Sequence, residues 1–297
     1  MRRILYLFTM VAALCAATIS SVRAQGIEFE SSENNFQQAV EKALKSKKLI
    51  FMDCYTVWCG PCKRLATNVF PNDTVGAFFN RHFVSVKMDM EKGEGSKLAK
   101  QYEINAYPTL LFIDPHTQKM VYRMVGSRTG IQWLLDIAQK ALNDEENLTG
   151  VSARYRKNPQ DAAIVNKYLS QLQAARLFTL RDSVLNTYLA NATPANECSE
   201  QTWQILSSQV TDPYGFPFEY MSLRADKFRA TAGEKAVDEK LETIYRQAVM
   251  KFVRRKRIPA EQFQSNEFHR LNALLKESYQ GKNKAYYQAL LDMAGCV

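Results

Sequence analysis

The apolar run Leu49-Ile50-Phe51-Met52-Asp53-Cys54-Tyr55 is followed within four positions by Cys59-Gly60-Pro61-Cys62. Apolar residues then recur at helical spacing through Cys62, Leu65, Ala66 and Val69. This junction restricts the fold more than any other feature of the chain. A short apolar run with polar borders reads as a buried strand. The spacing after it reads as the inner face of a helix. Cys59 therefore opens a helix at the end of a buried strand, and Cys62 lies one turn further in. Asp53 stands inside that strand, where a lone acid is expensive to bury.

The flanking sequence continues the alternation. Phe36, Val40, Ala43 and Leu44 share one helical face, which Ser31 or Ser32 can cap. Pro71-Asn72-Asp73 interrupts the helix after Cys62, and a second helical piece carries Val75, Phe78 and Phe79. Phe83 to Met88 reads as a strand, Glu91 to Gly95 as a charged loop, and Leu98 to Tyr102 as a short helix. Thr109 to Ile113 is a strand, Asp114-Pro115-His116 its turn, Met120 to Val125 its hairpin partner, and Ile131 to Ile137 a closing helix. The order α-β-α-β-α-β-β-α specifies a three-layer α/β sandwich over residues 25–142. Residues 143–150 are polar and acidic, a linker. Beyond them, over 151–297, no strand pattern remains. Apolar positions keep helical spacing between breaks near Pro159, Pro194, Pro213, Gly233, Pro259 and Gly281. Roughly six or seven helices fit, as stacked helical hairpins. Asn158-Pro159 reads as a cap followed by a first helical position.

Arg2 and Arg3, the apolar run Ile4 to Ile19 and Val22-Arg23-Ala24 form a leader expected to be cleaved after residue 24. The apolar run falls short of the roughly 20 residues a bilayer span needs. The mature chain is thus expected to be exported, to the periplasm or an equivalent space, with no transmembrane span. The net charge of +9 drops to +6 without Arg2, Arg3 and Arg23. Residues 25–150 hold 15 basic and 15 acidic side chains, and residues 151–297 hold 21 and 15, so the excess sits in the second half. In an exported protein this reads first as a solvated face, with an anionic envelope surface or acidic partner as the alternative, rather than as a nucleic-acid surface. The cluster Lys251, Arg254, Arg255, Lys256 and Arg257 is explained by placement at a helix C-terminus.

Of six cysteines, Cys15 lies in the leader, leaving Cys54, Cys59, Cys62, Cys198 and Cys296 in a compartment where disulfides persist. A bridge between Cys198 and Cys296 would close a loop of about 100 residues, worth up to ~4.7 kcal/mol in the chain-entropy model. Pairing requires geometry, so the sequence leaves both the bridged and the free states open. Strand alternation points Cys54 away from Asp53, as a small buried hydrophobe.

A helix N-terminus presents unpaired N–H groups and partial positive charge, which stabilise a thiolate at Cys59 below the free value of ~8.5. Cys62 faces inward but can reach Cys59. This gives two-step exchange: a mixed disulfide at Cys59, resolved by Cys62. A structural zinc site would need four ligands, whereas one C-x-x-C and the scattered His82, His116 and His269 do not supply them. An inert disulfide with a two-residue spacer closes too small a loop to stabilise much. No metal and no cofactor is expected.

Asp53 to Lys63, Tyr107-Pro108-Thr109 and Val125-Gly126 together resemble the thioredoxin family, over residues from about 30 to 140, and the broken helix at Pro71 is similar to periplasmic disulfide-reductase domains. Thr67 stands where the family usually has a proline inside the helix. The resemblance implies that Asp53 is the buried acid serving Cys62 and that Lys87 is its partner. It implies a cis bond before Pro108, with Tyr107 pairing to a substrate strand, and a docking surface completed by Trp58, Gly60, Pro61 and Gly126. The implied activity is thiol–disulfide exchange on protein substrates. The Gly-Pro spacer resembles reducing members, which outside the cytoplasm need a membrane electron donor. An oxidase or isomerase of the same fold is the near alternative. A docking module, whose helical half binds a client or envelope component, is the alternative of another kind.

Overall fold

The computed structural model describes residues 26–30, 36–253 and 266–295. The expected leader, the candidate caps Ser31 and Ser32, Arg254 to Arg257, Pro259 and Cys296 lie outside the described residues. The chain divides into two compact units, 1–147 and 148–297.

The first unit runs α1 (Phe36–Ser46), β1 (Leu49–Tyr55), α2 (Gly60–Asn68), α3 (Asp73–His82), β2 (Phe83–Asp89), α4 (Gly93–Gln101), β3 (Thr109–Ile113), β4 (Met120–Val125) and α5 (Gln132–Leu142). Its mixed sheet has the order β2-β1-β3-β4, with β1 parallel to β2 and antiparallel to β3, and β3 antiparallel to β4. This is a thioredoxin-like α/β fold followed by a helical region. Pro71 ends the first half of the broken helix. Asn72 caps the second half, its Oδ1 accepting from the N–H groups of Thr74 at 3.0 Å and Val75 at 3.3 Å.

Period-two alternation divides β1 between two cores. Ile50, Met52 and Cys54 pack with Phe36, Val40 and Ala43 of α1, Leu98 of α4 and Leu111 of β3. Phe51 packs on the opposite face with Leu65 of α2, Phe79 of α3, Phe112 of β3 and Leu134 of α5. Its ring meets Phe79 edge-on at 4.8 Å and Phe112 at 5.2 Å. Asp53, two residues on, shares the Phe51 face beneath α2.

Residues 26–30 lie along the free side of β2, where Phe29 makes a parallel bridge to Ser85. The Glu30 N–H donates to the Ser85 carbonyl and the Ile27 N–H to the Phe70 carbonyl, both at 2.8 Å. The Asn80 side chain clamps the segment, accepting from the Glu28 N–H at 2.9 Å and donating to the Gly26 carbonyl at 3.1 Å. Gly26 is required there, since a Cβ would lie 2.4 Å from the Phe70 carbonyl oxygen. At the other end of the sheet, the buried Arg123 of β4 points inward and donates to the carbonyls of Tyr102 at 3.1 Å and Glu103 at 2.8 Å.

Three boundaries differ from the sequence reading. The helix expected near Leu98 begins at Gly93, inside the stretch read as a charged loop. Gly95 permits this, because a Cβ there would lie 2.0 Å from the Asp89 carbonyl oxygen. The linker read at 143–150 is a turn over 143–147, closed by the N–H groups of Glu146 and Asn147 donating to the Asn143 carbonyl. Helix α6 (Leu148–Lys157) starts directly after it. Asn158 caps no helix; it opens a turn with Asp161. Asp161 is the cap of α7 (Ala162–Ala174), accepting from Ala163 and Ile164.

The second unit continues with α8 (Phe178–Ala190), α9 (Glu200–Gln209), α10 (Phe216–Leu223), α11 (Ala225–Ala232), α12 (Glu234–Val253), α13 (Asn266–Glu277) and α14 (Lys284–Gly295). Among the described residues it holds nine helices, more than the six or seven expected, because two stretches read as continuous are split: 162–190 at residues 175–177, where Arg176 holds φ +55°, and 216–232 at Arg224. Gly215 (φ +84°) and Gly233 (φ +91°) adopt backbone that other residues resist, and Arg224 breaks the chain between them. Consecutive helices pack against one another: α6 on α7, α7 on α8, α11 on α12 and α13 on α14. Among the described residues, no helix is long and apolar enough to cross a membrane.

Candidate active site

Strand β1 delivers the chain to the site through the Thr56 turn, where the Cys59 N–H donates to the Thr56 carbonyl at 3.2 Å. Cys59 is the N-cap of α2 (φ −72°, ψ 104°), with Pro61 in the first helical turn. Pro suits that position because its missing N–H would have had no helical partner. The Cys62 N–H points at the Cys59 sulfur, 3.1 Å away. Cys59 and Cys62 are joined as a disulfide. Burial does not separate their roles: Cys59 is 3% exposed and Cys62 4%. Position does. Only Cys59 stands at the helix end, where unpaired N–H groups collect.

Asp53 is 1% exposed, and neither of its carboxylate oxygens has a hydrogen-bond partner. Lys87 sits opposite it in the β1–β2 register, with Nζ 3.7 Å from Oδ2, an ion pair longer than a hydrogen bond. Burial pushes the Asp53 carboxyl up to about 6, and Lys87 opposes that rise only in part. Cys54 is fully buried on the other face, and its thiol is pushed well up, first by burial and then by Asp53.

The rim is assembled from distant segments. The Tyr107–Pro108 bond is cis. The Pro108 carbonyl accepts from the Gly126 N–H at 2.8 Å, and Gly126 holds φ +88°. Trp58 is 64% exposed, and its ring stands edge-on to Tyr107 with centroids 5.8 Å apart. Sequence reasoning missed Glu91. Both of its carboxylate oxygens accept from the Trp58 indole N–H at 3.0 Å. Nothing local signals this contact, because the two residues lie 33 positions apart.

Trp58, Cys59, Gly60, Pro61 and Cys62 thus share one turn and helix start, Asp53 and Lys87 pair on adjacent strands, and Tyr107, Pro108 and Gly126 meet at the sheet end. Cys198 is a free thiol of the second unit, and the bridge raised from the sequence falls on Cys296, which lies outside the described residues. Among the described residues, no group of three or more His, Cys, Asp or Glu side chains is placed to hold a metal ion.

A family model described as Thioredoxin matches residues 28–136. A thioredoxin of Chlorobaculum thiosulfatiphilum is 30% identical over 102 residues, covering 34% of this chain and 85% of that protein. The thioredoxin-like protein slr0233 of Synechocystis is 30% identical over 100 residues, covering 34% of this chain and 89% of that protein. The chain belongs to the thioredoxin family through its first unit. It spans only 32% of the length of protein disulfide-isomerase 1 of Dictyostelium discoideum, to which it is 31% identical over 43% of its own length. A candidate disulphide-isomerase of Bacteroides thetaiotaomicron, solved in solution, is 48% identical, covering 41% of this chain and 98% of that one, with a TM-score of 0.36. The helical second unit matches no family model.

Proposed function

We propose that this protein is an exported thiol–disulfide oxidoreductase that reduces disulfides in protein substrates. The observation that carries the reading is Cys59 at the cap of α2, bonded to Cys62 and receiving its N–H, above a buried acid with raised affinity for a proton. In the reduced protein, the Cys59 thiolate attacks a substrate disulfide. One substrate sulfur leaves as a thiolate and takes a proton, and the other is held by Cys59. Cys62 then gives its proton to the Asp53 carboxylate and attacks the Cys59 sulfur. The second substrate sulfur is released, and two electrons have passed to the substrate. The Cys59–Cys62 disulfide is the product state, and its return to the dithiol needs a reductant, for which a membrane electron donor is proposed. The apolar rim at Trp58, Tyr107 and Pro108 suits an extended protein segment, whose backbone would pair at Tyr107 by strand addition.

Export rests on the sequence of residues 1–24, and the reducing direction rests on the Gly60-Pro61 spacer. The test is reduction of a protein disulfide by the full chain and by Cys59→Ser. Turnover in the first and none in the second is expected, with Cys62→Ser accumulating mixed disulfides. Equal, near-zero rates in both would overturn the reading and leave a docking module. A measured potential nearer that of strong oxidants than the roughly −270 mV of reducing members would overturn the direction.

A further inference from the structure

Lys87 is held in a manner that the ion pair alone does not require. Its ammonium lies 5.3 Å from the ring centroid of Phe29, 5.4 Å from that of Tyr55 and 5.6 Å from that of Phe70. Each distance falls within the ~6 Å at which an aromatic face attracts a cation. The three rings come from separate places: residues 26–30, the end of β1, and the break after α2. The side chain of Lys87 is 32% exposed, so a path into water lies open to a long and flexible stem. At 3.7 Å from Asp53, no hydrogen bond ties it down.

The geometry points to Phe29, Tyr55 and Phe70 as positioning residues, an aromatic cage that keeps the Lys87 ammonium against Asp53 instead of letting it swing into solvent. The inference deepens the proposed function, since it rests on Asp53 and Lys87 serving the resolving step. The cage is anchored independently of the lysine. The Ile27 N–H bonds the Phe70 carbonyl, and the Glu30 N–H bonds the Ser85 carbonyl. Gly26 packs on the backbone of Phe70 and Pro71. Phe29 and Phe70 also touch each other, with centroids 5.3 Å apart. Residues 26–30 therefore set part of the electrostatics of a site whose cysteines lie some thirty positions later.

Few other charges border the pair. Asp89, two residues along β2, is matched by Lys92 at 3.5 Å. Glu30, next to Phe29, is matched by Lys42. Glu28 flanks Phe29 on the other side, and Tyr55 is itself a cage wall. The Cys54 thiol and the Arg123 guanidinium lie on the opposite face of the sheet. Cys59 and Cys62 do not titrate while bonded.

The test is the titration of Asp53 in the oxidised full chain, followed by the 13C shift of its carboxyl group, in wild type, Phe29→Leu, Phe29→Tyr, Phe70→Leu and Lys87→Met. Leucine keeps apolar bulk and removes the ring. Both leucine variants are expected to raise the Asp53 midpoint by roughly half a pH unit or more, towards that of Lys87→Met. Phe29→Tyr, which keeps a ring, is expected to stay at the wild-type value. Unmoved midpoints in the leucine variants, beside a raised one in Lys87→Met, would overturn the cage. An unmoved midpoint in Lys87→Met would overturn it too, because no coupling would then exist to transmit. If Phe70→Leu fails to fold, the Phe29 pair decides alone. A cage shift in a chain without reductase turnover would sink the proposed function and leave the cage standing.

Discussion

Replacing Asp53 by asparagine keeps the shape of the side chain and removes its charge. The structure sets the size of the effect. Burial raises the carboxyl from 3.8 to about 6, a difference of roughly two pH units. At about 1.4 kcal/mol per unit, this amounts to roughly 3 kcal/mol. Because the folded-state value is the higher one, the folded protein holds the Asp53 proton more tightly than the unfolded chain. That contribution is complete below about pH 3.8 and is lost as pH rises to about 6, after which the deficit is constant. Wild type therefore gives up roughly 3 kcal/mol between pH 4 and pH 7 that Asp53→Asn keeps. Native-state hydrogen exchange at the β1 and β3 amides, in oxidised protein, reads the stability of the strands that carry Asp53. Comparing the two proteins at the same pH cancels the exchange chemistry and the other carboxylates. The variant should gain steadily on wild type from pH 4 to pH 7 and then run parallel to it. A stability difference that stays flat across this range would refute the reasoning, because Asp53 would then titrate alike in the folded and unfolded chain.

Phe51→Ala removes a fully buried ring at the centre of the aromatic cluster and should cost about 3–5 kcal/mol, read by urea unfolding. Gly126→Ala meets open space but forces an L residue to φ +88°, so a loss of roughly 1–2 kcal/mol is expected in the same measurement, from backbone strain rather than collision. Glu91→Ala frees the Trp58 indole, whose fluorescence anisotropy should fall while global stability changes little; an unchanged anisotropy would mean that Tyr107 alone fixes the ring.

Much of the first unit was legible because its signals are local. Six apolar residues around Asp53 fix β1, alternation fixes which neighbour Asp53 and Cys54 face, and Asn72 after Pro71 fixes the restart of the broken helix. Cys59 and Cys62 were readable from the strand-to-helix junction alone. Lys87, Tyr107, Pro108 and Gly126 came through likeness to a family, since no spacing rule brings them near the cysteines. What escaped was non-local. Glu91 reaches Trp58 across 33 positions, and Phe29 and Phe70 converge on Lys87 from separate segments of the chain. In the second unit, helical periodicity persists through Leu223 and Arg224, so the pattern hides the break that divides α10 from α11. Asp161 outcompetes Asn158 as a cap because its carboxylate reaches two free N–H groups at once.

The inward arginine of β4 bears on how copies of this chain coexist at high concentration. β4 ends the sheet, and a terminal strand offers unpaired backbone groups to any passing chain. Burying a guanidinium behind such a strand penalises its straightening into an intermolecular ladder, because Arg123 would have to give up the Tyr102 and Glu103 carbonyls. Arg123 thus doubles as a guard against self-association, and a leucine in its place would favour insoluble aggregates.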